Sequence, residues 1–403
     1  MINRPIYLNQ LINFKDKDLI KVITGIRRCG KSSLLELFAQ YLKSQNIKDK
    51  NIIQINFESL EYDNLTYKDF YELIKEKSNK ANGKLYLLLD EIQKLESWEL
   101  AVNSLRVDLD VDIYLTGSNA YLLSSQLSTY LSGRYVEIKM QPLSFKEFLT
   151  FYDLTDKTKE EQFNLYLQFG GMPGLKDLNF DFRMVNQTLE GIYSTVIMKD
   201  VINQASIRDP LLLKKVTNFL ADNIGNSTSI NNIKNVLVSE KAITKGTTTG
   251  VIDNYIGFLE NAFVFYQINR YDIKGKEYLK TQGKYYIADM GLRNYILGLR
   301  NRDRGHILEN IVFLELKRRG YDIAIGKLQS VEVDFIATKP NEKIYIQVTE
   351  TLKEETTRTR EITPLKNIND NYEKIVLTTD ELFKNTDDEG IKIINVIDWL
   401  LSY

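Results

Sequence analysis

The 403-residue sequence has one cysteine, one histidine and six prolines, and no apolar run approaching the roughly 20 residues that cross a bilayer. Each scarcity excludes something. With Cys29 alone no internal disulfide can form, and with His306 alone neither a multi-histidine nor a Cys/His metal centre can be built, so any metal must be held by oxygen atoms. Neither sign of charge prevails: 53 Lys and Arg stand against 54 Asp and Glu, a net charge of -1, and that provides no global field to draw in nucleic acid. A nucleic-acid partner would need a local basic face. The opening, MINRPIYLNQLINFKDKD, carries charges where an export signal has its apolar centre, so no membrane association is expected and the expected location is the cytoplasm. What is present is globular composition, 43% hydrophobic and 27% charged, over a length that suits several domains.

The stretch ITGIRRCGKSSLLELF has two glycines framing four residues, then a lysine and a serine. Lys21 to Thr24 read as a short apolar strand, and Leu34, Leu35, Phe38 and Leu42 recur at helical spacing after the turn. Strand, loop and helix in that order form the context of a phosphate-binding loop made of Gly25, Ile26, Arg27, Arg28, Cys29, Gly30, Lys31, Ser32 and Ser33. Backbone N–H groups of such a loop cradle phosphates at the positive end of the helix, Lys31 reaches the outer phosphates, and the Ser32 hydroxyl ligates Mg²⁺.

About sixty residues later KLYLLLDEIQ ends an apolar strand in two acids. Asp90 is placed to hold the Mg²⁺ shell and Glu91 to polarise the attacking water as general base. An intervening strand, NIIQINFES, supplies Asn56 as a polar group that would restrain Glu91. DIYLTGSNA then ends a further strand, where Ser118 or Asn119 could sense the γ-phosphate, a plain turn being the other reading. Arg134, ahead of YVEIKM, has two readings: an arginine facing the γ-phosphate of a neighbouring subunit in a homo-oligomer, or a surface residue.

The combination of GIRRCGKS, LLLDEIQ, LTGSNA, LSGRY, PLSFKEF and GGMP resembles a prokaryotic group of AAA-type ATP-binding proteins that carry a C-terminal domain of unassigned function. The resemblance implies an α/β fold of the AAA+ type: a five-stranded parallel sheet with helices on both faces, then a helical lid. It also implies ATP as the nucleotide, and Walker A, Walker B and sensor roles for Gly30, Lys31, Ser32, Asp90, Glu91 and Asn119. Cys29 is a filler position in that pattern.

The remaining chain divides by pattern. Residues 1–141 form the ATPase core and 142–205 a helix-rich lid, with Gly170 and Gly171 at a turn. Residues 206–300 give three helices and a hairpin, compatible with a winged-helix module. Its third helix carries Asp253 and Glu260 and no lysine or arginine, which suits protein packing better than phosphate contact. Residues 301–403 give a helix with Glu309 and Glu315, then strands with Asp334 and Gln347-Val348-Thr349, and resemble a restriction-endonuclease-like α/β core. That core uses an aspartate and an E-x-K triplet to hold Mg²⁺. Gln347 brings no charge and Thr349 no cation, so cleavage is expected to be lost unless Glu350 and Lys353 substitute. TLKEETTRTREITPL reads as a solvated helix or loop, and His306 as structural.

The expected function is Mg²⁺-dependent ATP binding and hydrolysis driving a conformational switch that controls C-terminal binding modules. The alternatives are an ATP-regulated nuclease using Asp334, or a nucleotide-gated module that binds DNA or a protein partner through its C-terminal half.

Overall fold

The computed structural model describes residues 3–120, 131, 133–203, 207, 209–243, 246–300, 302–329, 331–381 and 386–402. Contacts divide the chain into two compact units, residues 1–142 with 261–263, and residues 143–260 with 264–403.

In the first unit strands and helices alternate: α1 (Pro5–Phe14), β1 (Ile20–Thr24), α2 (Lys31–Ser44), β2 (Ile52–Asn56), α3 (Tyr67–Lys80), β3 (Leu85–Asp90), α4 (Trp98–Asp108), β4 (Val111–Gly117) and β5 (Tyr135–Lys139). The strands form one sheet in the order β2-β3-β4-β1-β5, and every pairing is parallel. This is the five-stranded parallel sheet expected. Parallel strands joined by crossover helices must be covered on both faces, and every residue of β1 and β3 is buried accordingly. One face packs Val22, Leu87, Leu89 and Leu115 with Phe70 and Ile74 of α3 and Val102 and Leu105 of α4. Phe38 of α2 packs against Tyr114, their ring centroids 4.4 Å apart. Lys21 is fully buried within β1, where its ammonium meets Asp112 at 2.5 Å.

The second unit begins with helices α5 (Phe145–Tyr152) and α6 (Lys159–Phe169), each opened by a capping box, Ser144 with Glu147 and Thr158 with Glu161. Then come α7 (Phe182–Thr195), a π-helical segment over Val196–Asn203, α8 (Pro210–Asp222), α9 (Ile230–Ser239) and α10 (Thr249–Asn261). A hairpin follows, β6 (Phe265–Asp272) and β7 (Glu277–Ile287), then α11 (Met290–Leu297) and α12 (Arg304–Arg318). The rest is β8 (Asp322–Leu328), β9 (Val331–Lys339), β10 (Glu342–Thr349), α13 (Glu355–Lys366), β11 (Glu373–Thr378), β12 (Thr386–Asp388), β13 (Ile391–Asn395) and α14 (Val396–Leu401).

The three helices and hairpin expected from the sequence are present, but the hairpin is no free wing. β6 also pairs with β8, so both strands belong to an eight-stranded sheet in the order β12-β13-β11-β10-β9-β8-β6-β7. The sequence boundary at 300/301 therefore falls between strands of one sheet. Nor is TLKEETTRTREITPL wholly solvated: α13 buries Glu361, Ile362, Pro364 and Leu365.

The GGMP turn is part of a tight seam. Asp289 caps α11 through the Leu292 N–H at 3.0 Å, and its other oxygen accepts the Gly171 N–H at 2.6 Å. Gly170 has φ +75°, and a Cβ there would lie 2.3 Å from Asp289 Oδ1 and 2.5 Å from the Gly291 nitrogen. No side chain larger than hydrogen fits this approach.

Candidate nucleotide site

The candidate site lies at the carboxyl-terminal edge of the parallel sheet, where β1, β3 and β4 all end. Pairing of Ile23 with Thr116, and of Leu89 with Leu115, brings the loop after β1, the acids after β3 and the polar end of β4 to one edge.

The loop from Gly25 to Gly30 turns directly into α2, whose first residue is Lys31. Gly25 has φ +144°, and a Cβ there would stand 2.1 Å from the Met140 carbonyl oxygen, so glycine is needed for the loop to pass the end of β5. Lys31 is 4% exposed, with its ammonium on the carbonyl oxygens of Gly25 at 3.0 Å and Ile26 at 3.4 Å. Ser32 and Ser33 are exposed in the first helical turn, where unpaired backbone N–H groups make an anion site. Arg28 is exposed, while Arg27 reaches Glu58 at 3.2 Å and the Ser118 hydroxyl at 3.5 Å. Cys29 is buried and burial pushes its thiol up, away from reactivity.

Asp90 and Glu91 are both buried. Thr116 of β4 binds them together: its hydroxyl donates to Asp90 Oδ1 at 2.5 Å and accepts the Glu91 N–H at 2.9 Å. Glu91 sits in the left-handed region, φ 51° and ψ 45°, which a non-glycine residue adopts at some cost. Burial pushes the Glu91 carboxyl up, against the opposing pull of Lys31 and Arg27. The Gln93 amide donates to the Glu91 carboxylate. That is the position expected of Asn56, whose Oδ1 instead accepts the Glu58 N–H at 2.8 Å. Ser32 and Asp90 supply oxygen donors of the kind Mg²⁺ takes alongside substrate phosphates and water.

Family comparison gives the first unit its identity. The model of a family described as an AAA domain matches residues 17–149, and that of a family described as a domain of unknown function matches residues 160–303. An uncharacterized protein of Haemophilus influenzae is 46% identical over 405 residues, covering 100% of this chain and 99% of that protein. One of Methanocaldococcus jannaschii is 32% identical over 429 residues, covering 100% and 92%. The chain belongs to this family of AAA-domain proteins. The solved structure of a Walker-type ATPase of Pyrococcus abyssi is similar in fold, with a TM-score of 0.51 at 16% identity over 73% of this chain and 96% of that one.

The remaining candidates of the AAA domain fall unevenly. Asn119 is buried, as is Ser118, whose hydroxyl is joined to the loop through Arg27. Arg134 is exposed ahead of β5, and its carbonyl accepts the N–H of Ile20 at 2.8 Å. It therefore stands at the opposite edge of the sheet from the loop of its own chain. Ser132 of the LSGRY block lies outside the described residues. Two participants carry no signal in the sequence, Gln93 and Arg4, while Thr116 is legible there only as part of a polar strand end. The Arg4 guanidinium donates to the carbonyls of Cys29 at 3.0 Å, Gln141 at 3.0 Å and Pro142 at 3.2 Å, tying the loop to the end of the domain. No local pattern marks Arg4, since its partners lie up to 138 residues away.

Among the C-terminal candidates, Glu309 and Asp334 converge but their expected companions do not. Glu315 pairs with Arg318 at 2.5 Å and Arg319 at 2.8 Å. Glu350 faces Arg304 at 3.3 Å, Lys353 faces Asp380 at 3.8 Å, and neither joins Asp334. The lysine that does reach Asp334 is Lys284 of β7, at 3.4 Å. Among the described residues no group of three or more His, Cys, Asp or Glu is arranged to hold a metal ion, and no helix is long and apolar enough to cross a membrane.

Proposed function

We propose that the chain binds ATP with Mg²⁺ at this edge of the AAA domain and hydrolyses it. Supporting the reading most directly is the joining of Asp90 and Glu91 by Thr116 at the same sheet edge as the loop that opens α2. The loop N–H groups and Lys31 would hold the β- and γ-phosphates, and the Lys31 ammonium would leave the carbonyls of Gly25 and Ile26 to do so. Ser32 and Asp90 would hold Mg²⁺, which when bound neutralises developing phosphate charge. Glu91 would take a proton from the attacking water. In the arrangement seen, its carboxylate is engaged by Gln93, so hydrolysis requires that hydrogen bond to loosen. Ser118 and Asn119 are the sensor candidates. Arg134, at the far edge of its own sheet, would act on nucleotide only from a neighbouring copy in a homo-oligomer.

The hydrolysis cycle would act as a switch on the C-terminal modules, which would bind DNA or a protein partner. In favour of a restriction-endonuclease-like origin for the last module is its order: α12, antiparallel β8-β9-β10, then α13 crossing to parallel β11, with Asp334 on β9 and Gln347 on β10. Lys31→Ala should remove ATP binding measured by equilibrium dialysis. Unchanged affinity in a folded Lys31→Ala protein would reject the site.

A further inference from the structure

The restriction-endonuclease resemblance implies a divalent cation held near Asp334, and the residues present do not fit one. Three carboxylates from two elements converge there: Glu309 of α12, and Glu332 and Asp334 of β9. Their focus is already occupied. The Lys284 ammonium, from β7, lies 2.8 Å from Glu309, 3.0 Å from Glu332 and 3.4 Å from Asp334, with the lysine side chain 5% exposed.

The surrounding groups complete this ammonium-centred set. The Tyr286 hydroxyl donates to Glu309 Oε1 at 2.6 Å, and His306 Nδ1 lies 3.4 Å from Glu309 Oε2. Asp334 Oδ2 accepts the Val348 N–H at 2.9 Å, and the Ser227 hydroxyl donates to Glu332 at 3.2 Å. At the place of the missing third ligand, Gln347 accepts the Asp334 N–H at 3.2 Å and donates to Glu361 at 2.6 Å, so its amide is committed on both sides. The chain after α8 passes close over the cluster, because a Cβ on Gly225 would lie 2.8 Å from His306 Nδ1 and 3.0 Å from Glu309 Oε2.

We propose that Lys284 is a built-in counter-ion that stands where a divalent cation would, closing the carboxylate cluster to metal and making it a structural pin between β7, α12 and β9. Three converging carboxylates, Glu309 buried and Glu332 and Asp334 half-buried, repel one another unless a cation stands among them, and a lysine from a neighbouring strand provides one without a free-ion requirement. The ammonium offsets the carboxyls unequally: it prevails at Glu309, and at Asp334 burial and the Glu309 charge outweigh it. Burial pushes Asp334 up to about 7, and although burial also opposes ionisation of Glu309, the Lys284 ammonium and its neighbours hold that carboxyl below its ordinary value. The Nζ to oxygen distances of 2.8 to 3.4 Å suit an ammonium and exceed the ~2.3–2.6 Å that Ca²⁺ takes.

The test uses nucleotide-free full chain and two probes, Ca²⁺ and Mn²⁺. Lys284→Ala empties the focus while leaving three carboxylates, so it should melt lower than wild type and regain roughly 5 °C or more in saturating Ca²⁺. Wild type and Lys284→Arg should not respond. A folded Lys284→Ala protein indifferent to both ions would overturn the proposal. If that variant does not fold, Mn²⁺ titration of wild type decides: no binding that depends on Asp334 upholds the closed cluster, and binding abolished by Asp334→Asn refutes it. ATP binding at Lys31 is read separately, so this failure is distinct from failure of the ATPase reading.

Discussion

The hydroxyl of Thr116 accepts the backbone N–H of Glu91 at 2.9 Å, and this bond holds Glu91 in its left-handed conformation at the end of β3. The same hydroxyl donates to Asp90. One side chain on a neighbouring strand thus fixes the residue proposed to hold Mg²⁺ and the one proposed to activate water. Thr116→Val keeps the shape and leaves a buried N–H unpaired, a loss of about 1–3 kcal/mol. Urea unfolding should show that loss, and steady-state kinetics should show kcat falling at least about tenfold with the KM for ATP nearly unchanged, the signature of a group that acts beyond ground-state binding.

Glu91→Gln should keep ATP affinity and reduce turnover by about 10² to 10⁴, the usual contribution of a positioned base. In the wild type, burial raises the Glu91 carboxyl. A raised base is protonated at a higher pH, so the acid limb of kcat should lie above the ordinary glutamate value of about 4.3. A pH–rate profile with its acid limb at or below that value would remove Glu91 as the base.

The seam at Asp289 predicts a pH-dependent stability with a definite sign. Burial pushes its carboxyl up to about 6, above the ordinary ~3.9, despite three backbone N–H donors. Because the folded value is raised, its stabilising contribution is complete below ~3.9 and is lost as pH rises through 6. The Tm of wild type minus that of Asp289→Asn should therefore shrink between those limits, measured by calorimetry. At the same seam Gly170→Ala should cost roughly 2–4 kcal/mol, since φ +75° and the 2.3 Å approach to Asp289 both oppose a side chain.

Lys21 and Asp112 form a buried pair inside the AAA domain, and Tyr114 and the Asp16 N–H complete the hydrogen bonds of the aspartate, each at 2.8 Å. Lys21→Met strands the carboxylate and should cost about 3–5 kcal/mol. Lys21→Met with Asp112→Leu should recover part of that loss in urea unfolding.

The AAA domain was legible because its signals are local. A strand, a glycine-framed loop and a helix occupy consecutive residues, and the periodicities of β1 and α2 need nothing from elsewhere. The parallel sheet follows from crossover helices between apolar runs. Thr116 was visible as part of a polar strand end, but its grip on Glu91 depends on β4 lying between β1 and β3, and a sequence does not print strand order. Asn56 was read as the partner of Glu91 because both end apolar strands. The carboxylate instead finds Gln93, two residues along its own chain, where a 3-10 turn returns the side chain. In the second unit the E-x-K pattern points to a lysine in the triplet or, failing that, to Lys353 just after it, whereas Lys284 comes from a hairpin that reads as part of another module. The hairpin's union with β8 is a long-range pairing with no local mark.

The central claim is Mg²⁺-dependent ATP hydrolysis at the sheet edge of the AAA domain. Phosphate release by the purified full chain at saturating ATP, with Mg²⁺ or with a chelator, and with Glu91→Gln as the blank, tests it most directly. The account predicts turnover that requires Mg²⁺ and is lost in the blank. Equal phosphate release by wild type and Glu91→Gln, or release indifferent to the chelator, would contradict it.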